Sequence, residues 1–285
     1  MLGAIIGDMV GSIYEFSKPN SKEFNIYNEN MKMSDDSLLT IAVAKVLLAN
    51  YPIKYEKESL KLIQDQLGKE FINTFKSNPF AGFGGMFIDW CIASEETGKV
   101  LPPYNSFGNG SAMRISPVGW VANTEEEVKL LSKTVTEITH NHPEGLKGAE
   151  AVAMAIFLSR QGKSKEEIKQ RMIKDYYPSI KDLDFNDLVK NYDFDSTCQG
   201  SVPEAIYCFL ISNSLEDAIR NCIAIGGDCD TTAAMAGSIA EAYYQKDKVS
   251  EFEDKFIYLM IEPKVEALIK EFHKTIGSKK FENAM

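Results

Sequence analysis

Apolar residues recur along this chain at intervals of three and four, the spacing that gathers them on one helix face. No run alternates with period two between turn signals. The stretch 37–50 (SLLTIAVAKVLLAN) is apolar on nearly every side and predicts a buried central helix, whereas 59–75 carries one apolar stripe and reads as a surface helix. Further helices are predicted over 125–138, 145–159, 165–175, 202–212, 215–225, 231–244 and 264–273, with His140-Asn141-His142-Pro143 breaking the first of these from the second. Near the start, Gly3, Gly7 and Gly11 fall every fourth residue among Ala4, Ile5, Ile6, Met9, Val10 and Ile13. On a helix those glycines form a flat stripe that lets a second helix come close, and Asp8 and Glu15, seven apart, share another face. The expected fold class is all-α.

Two stretches bearing Pro and Gly, 101–119 and 176–200, read as long loops, and loops of that length inside a helical domain are more often functional than idle. No linker divides the 285 residues and no internal repeat is visible, so one domain over 1–285 is expected. With 44% hydrophobic and 25% charged residues, the chain can bury a sizeable core. Charge narrows the partners. Lys and Arg number 31 against 41 acids, a net charge of −10, which argues against non-specific nucleic-acid binding. It leaves a phosphate-bearing ligand open where divalent cations supply positive charge locally. Five cysteines, odd in number and without CxxC spacing, argue against a disulfide framework or zinc ribbon and fit a reducing compartment. Asp8 interrupts the apolar start, no basic segment precedes it, and no stretch has the length of a membrane span. A cytoplasmic monomer with no membrane partner is expected.

Three segments place carboxylates where packing alone does not ask for them. Asp8 and Glu15 lie in the glycine-striped segment. Ser34-Asp35-Asp36-Ser37 precedes the buried helix, and Gly226-Gly227-Asp228-Cys229-Asp230-Thr231-Thr232 opens another. Each of the last two has an ordinary account as a helix cap: Ser34 is a good N-cap, acids suit a first turn, and a Gly pair ends a preceding helix. A cap needs one side chain, however, and two carboxylates flank Cys229. If the segments converge, Glu15, Asp35, Asp36, Asp228 and Asp230 bring about five negative charges, and a helix N-terminus offsets only about half a charge. Two divalent cations would balance them. Carboxylate and hydroxyl oxygens are hard donors, which suit Mg²⁺ or Mn²⁺ rather than zinc.

Five segments in order resemble the ADP-ribosylglycohydrolase family, which includes the glycohydrolase that reactivates ADP-ribosylated dinitrogenase reductase. They are GAIIGDMVGSIYEF (3–16), SDDS (34–37), GNGSAMRISPVG (108–119), THNHP (139–143) and GGDCDTTAAMAG (226–237). The resemblance implies a compact all-α fold with a binuclear Mg²⁺ centre in a cleft. By motif match, Ser34, Asp35, Asp36, Asp228, Asp230 and Thr231 take the metal-ligand positions. Glu15 takes that of the acid near the metals and the ribose, and His140 that of a histidine lining the ADP-ribose pocket. Ser34 and Ser37 replace the more usual threonines; a Ser34 hydroxyl can still coordinate, without the β-methyl that fixes a threonine rotamer. The implied activity is hydrolysis of the bond between ADP-ribose and an acceptor, with Glu15, Asp35 and Asp230 as the catalytic group.

Gly108, Asn109, Gly110 and Ser111 form either an ordinary tight turn or an anion nest of backbone N–H groups for the diphosphate; the resemblance favours the second. Arg114 is open between a phosphate contact and an ion pair with one of the acids. His142 is not expected to serve, and His273 is expected on the surface of the last helix. Phe107, Trp90, Tyr104 and Tyr207 are the candidates for stacking on adenine. A helical diphosphate-binding synthase requires DDxxD, and here Asp35-Asp36 is followed by Ser37-Leu38-Leu39. A non-catalytic, crystallin-like relative would have lost metal-ligand positions, and this chain keeps every acidic one.

Overall fold

The computed structural model describes residues 1–19 and 21–281. Among them are fourteen α-helices and no strand beyond one isolated bridge between Gly108 and Thr197, as the periodicity predicts. In chain order they are α1 (Leu2–Gly11), α2 (Asp35–Ala49), α3 (Lys57–Ser77), α4 (Gly85–Thr97), α5 (Ser116–Val121), α6 (Glu125–Thr136), α7 (Pro143–Arg160), α8 (Lys165–Asp175), α9 (Phe185–Asn191), α10 (Cys198–Ile211), α11 (Leu215–Ile225), α12 (Cys229–Tyr244), α13 (Glu251–Met260) and α14 (Pro263–Thr275). None is long and apolar enough to cross a membrane. All five cysteines are free and buried.

Helices α2 and α12 are apolar on almost all sides because they run through the interior: α12 packs against α1, α7, α10 and α11, and α2 against α1 and α3. The glycine stripe of α1 meets α12 as its spacing predicts. A Cβ on Gly7 would overlap the carbonyl of Ala233, one on Gly11 the backbone of Asp230, and one on Gly3 the carbonyl of Gly237. This near-contact of two backbones sets Asp8 of α1, and Glu15 in the turn after it, beside the acids opening α12. Substituting Gly7 by alanine forces the helices apart, and the expected cost is about 1–3 kcal/mol. It would appear in urea titration as a lower midpoint with an unchanged slope.

The structure differs from the sequence reading in several places. Residues 101–119 and 176–200 are not loops throughout: they contain a 3₁₀ turn over Asn109–Ser111, α5, a second 3₁₀ turn over Pro178–Asp182, and α9. These pieces are shorter than two full turns, too short to show a period. Helix α10 begins at Cys198 and carries Pro203 inside it, and α4 and α13 were not anticipated. Glu15 does not share α1's face with Asp8. The helix ends at Gly11 and Glu15 lies in the turn beyond, its N–H bonded to the Gly11 carbonyl at 3.1 Å.

His273 is buried rather than exposed. The chain after α14 folds back over it, so its ring lies 5.4 Å from that of Phe281 and 4.7 Å from that of Trp120. Lys280, also buried, pairs there with Glu253 at 2.6 Å and Glu241 at 3.4 Å.

Candidate metal centre and substrate cavity

The three acidic segments converge. Asp8, Asp36 and Asp230 each offer a carboxylate oxygen within 4.8 Å of the others, and so do Glu15, Asp228 and Asp230, with Asp230 common to both sets. Its place in both follows from the fold: α12 begins where the C-terminal end of α1 can approach it, and Gly11 leaves the space. Gly226 and Gly227, both with positive φ, turn the chain sharply between α11 and α12 and deliver Asp228 to the same spot.

Hydrogen bonds fix the individual groups. Asp8 accepts four: from Ser34 N (2.9 Å), Ser34 Oγ (2.6 Å), Ser37 N (3.1 Å) and Ser37 Oγ. It is thus a clamp that ties α1 to the start of α2, and the sequence reading did not assign it that part. Ser34 caps α2 by accepting from Asp36 N at 3.2 Å while giving its own proton to Asp8. Asp36 Oδ2 accepts from Thr231 Oγ1 at 3.2 Å, whereas Asp36 Oδ1 is buried without a partner among the described residues. Asp228 stands at the N-cap of α12 but makes no capping bond; its Oδ2 accepts instead from Asn109 Nδ2 at 2.7 Å. The cap explanation therefore fails at α12, where the carboxylate meets Asn109 and the side chains of Asp230 and Thr231 instead of the helix's free N–H groups.

Electrostatics agree with the geometry. Burial first, then the charges of Asp8 and Asp230, hold Asp35 up at about 8. Burial raises Asp8 to about 7 despite the hydroxyls bonded to it, and burial with Asp230 and Asp8 nearby raises Glu15 to about 7. Asp36 and Asp228 are pushed well above the carboxylate range by burial and by Asp230. Five carboxylates line the cavity, against Lys32 and Arg114 as the cationic side chains of its described lining. An all-oxygen set of buried acids, one oxygen of which has no donor, fits hard divalent cations.

The cavity has a volume of about 780 Å³ and is lined by Glu15, Ser34, Asp35, Asp36, Asp228, Asp230 and Thr231, and also by Gly108, Asn109, Gly110 and His140. Asp35 lies outside both close triads, with its N–H bonded to the Ala81 carbonyl at 2.9 Å. A model of the ADP-ribosylglycohydrolase family matches residues 1–263. The chain belongs to that family.

Relatives among the ADP-ribosylglycohydrolases include the mouse ADP-ribosylhydrolase ARH3, 26% identical over 88% of this chain and 84% of that protein. The ADP-ribosylarginine hydrolase Tri1 of Pseudomonas putida is 22% identical over 86% of this chain and 69% of its own. A solved structure described as an ADP-ribosylglycohydrolase-related protein complex superposes with a TM-score of 0.66 at 18% identity, covering 96% and 97% of the two chains, and shares the fold.

Around the cavity the sequence-predicted residues fare differently. In the 108–111 turn, the Gly108 and Asn109 N–H groups are already engaged, by Ser106 Oγ (3.1 Å) and the Ser196 carbonyl (2.8 Å), which leaves at most half of a nest. Ser111 turns inward, its hydroxyl bonded to the Gly145 carbonyl at 2.9 Å. Arg114 pairs with no carboxylate among the described residues; it is wholly buried, over the ring of Phe71 at 4.4 Å and bonded to Thr139 Oγ1 at 2.6 Å. Of the aromatic candidates Tyr104 and Phe107 reach the cavity, while Trp90 is spent on the Leu101 and Pro102 carbonyls. Phe80 and Met86, exposed at the cavity's lining, carried no signal in sequence: Phe80 lies in the loop before α4 and Met86 in its first turn, beside Gly84-Gly85, where no period is visible.

Proposed function

We propose that this chain is a Mg²⁺-dependent hydrolase that cleaves the glycosidic bond between ADP-ribose and an acceptor on a protein, nucleobase or small molecule. The observation that carries the proposal is the pair of carboxylate triads sharing Asp230 at the wall of a cavity large enough for a nucleotide. Ser34, Asp36, Asp228, Asp230 and Thr231 would hold two Mg²⁺, with Asp35 beside them; Mn²⁺ has the same donor preference. Bound there, the cations would supply Lewis-acid polarisation and a water acidified toward neutral pH.

The chain's own groups do the rest. Asp8 orients the Ser34 oxygen by accepting the hydrogen bond from its hydroxyl, and Asn109 pins Asp228. Glu15, partly exposed to the cavity, is the group placed to give or take a proton beside the ribose, with Asp35 also lining that wall. The buried carboxylates stabilise the positive charge that develops on the ribose as the bond breaks. His140 and the Gly108–Gly110 backbone line the part of the cavity that we assign to the ADP-ribose moiety. A non-catalytic, crystallin-like protein would have no use for this donor set, whose retention supports the enzyme.

One relative is named for ADP-ribosylarginine, so arginine heads the acceptors to test. The purified chain should release free ADP-ribose from at least one of ADP-ribosylated arginine, serine or nucleobase substrates with Mg²⁺ and not with EDTA. No release from any of them, and no thermal stabilisation by ADP-ribose, would sink the proposal.

A further inference from the structure

Arg114 is a buried cation of the cavity lining with no carboxylate partner among the described residues, so its presence there needs another explanation. We infer that Arg114 and Thr139 are positioning residues that fix His140 as the tautomer protonated on Nε2, so that the cavity meets an imidazole N–H donor. A guanidinium can only donate, and Nη2 of Arg114 donates to Thr139 Oγ1 at 2.6 Å. The Thr139 hydroxyl then has its own proton to place, and Nδ1 of His140 stands 2.7 Å away. By distance and angle that hydroxyl bonds these two groups, and the Tyr104 hydroxyl is a third polar group beside it. The opposite tautomer would fill both lone pairs of that oxygen with N–H donors and leave its proton only the Tyr104 hydroxyl, with which it has no well-formed hydrogen bond, in place of the 2.7 Å contact to Nδ1. Arg114 and Thr139 are wholly buried and His140 is 5% exposed, so bulk water does not compete.

The remaining ring nitrogen faces the ligand side. His140 lines the cavity, and Nε2 lies beside Gly108 and Gly110, 3.8 and 3.3 Å from where a Cβ on each would stand. Small residues there keep Nε2 open. The ring is neutral, because burial and then the Arg114 charge hold its pKa well below the ordinary histidine value. Which nitrogen of a neutral imidazole bears the proton is set by the bond the other makes. With Nδ1 as acceptor, Nε2–H donates to an oxygen of the ligand, a phosphate or hydroxyl; with the roles reversed, a lone pair would face that oxygen and repel it. The contribution to catalysis rests on the proposed ADP-ribose chemistry, whereas the tautomer does not.

The test is a long-range ¹H–¹⁵N correlation on the full chain labelled at histidine. Only three histidines are present, and a His140→Gln variant identifies the His140 signals by their loss. The expected result is a pyridine-type Nδ1 and a pyrrole-type Nε2 at His140 in the unsubstituted protein. Thr139→Val should give a mixed or reversed pattern and bind ADP-ribose about tenfold more weakly, the worth of one hydrogen bond, and Thr139→Ser should restore both. A pyrrole-type Nδ1 in the unsubstituted protein overturns the inference, and so does a Thr139→Val spectrum unchanged at His140. The unsubstituted spectrum decides even where Thr139→Val fails to fold. The expected ring pattern in a protein without affinity for ADP-ribose supports the tautomer and counts against the ADP-ribose reading alone.

Discussion

Asp230→Ala is expected to lose ADP-ribose release by on the order of 10³-fold or more, while the metal-free fold keeps or gains stability. Asp230 is the one carboxylate that belongs to both triads, so its removal takes a ligand from each prospective cation at once. The stability half of the prediction separates a functional acid from a structural one. The charge of Asp230 is among the causes that raise Asp8, Glu15, Asp35, Asp36 and Asp228, and deleting it relieves repulsion among buried groups. Single-turnover release in Mg²⁺ and urea titration in EDTA measure the two parts. Release within a few-fold of the unsubstituted chain would remove Asp230 from the centre, and a marked stability loss in EDTA would make it a structural residue.

The second large effect is a coupling of metal, pH and stability. Asp8, Glu15 and Asp35 have folded-state values of about 7, 7 and 8, above the ordinary carboxylate range. An acid whose folded pKa is raised retains its proton in the native state at pH values where the unfolded chain has lost it. Stability then falls as pH rises from about 4 to about 8. Metal-free protein should therefore melt progressively lower from about pH 6.5 to 8, above the range in which the buried His140 and His273, held below the ordinary histidine value, act in the opposite sense. Divalent cations bind the deprotonated carboxylates and must displace these protons, so Mg²⁺ affinity rises with pH, by about tenfold per pH unit for each proton displaced. Between pH 6 and pH 8 the Mg²⁺-induced rise in Tm should grow several-fold. A rise that is the same at both values, or a metal-free Tm that climbs with pH, would contradict the protonated-cluster account.

Much of this was legible in the sequence, and the reasons differ from element to element. Helices α2 and α12 announced themselves because burial on all sides leaves a long apolar run. The glycine stripe of α1 foretold a close partner because small residues at four-residue spacing have few other uses. Helices α5 and α9, of six and seven residues, span too few turns for a period to emerge. Helix α4 opens at Gly84-Gly85, which reads as a turn.

At the site, charge counting asked for cations once Glu15, Asp35, Asp36, Asp228 and Asp230 were taken to converge, and the fold supplies the convergence. It could not show that Asp8 is the clamp on Ser34 and Ser37, because that depends on α1 crossing the start of α2. The inward turn of Ser111, the seat of Arg114 over Phe71 and the burial of His273 are likewise tertiary facts. Each is decided by what packs on a residue from elsewhere in the chain, about which its own neighbours in sequence say nothing.

The central claim is that the acid cluster works as a cation centre for breaking an ADP-ribosyl bond. It is tested most directly by titrating metal-free protein with Mg²⁺ and measuring, in the same samples, bound metal and ADP-ribose released from ADP-ribosylarginine. Should arginine prove not to be the acceptor, whichever ADP-ribosylated acceptor is active takes its place. The account predicts no release without metal and a rise that saturates as two equivalents bind. Undiminished release from metal-free protein would contradict it.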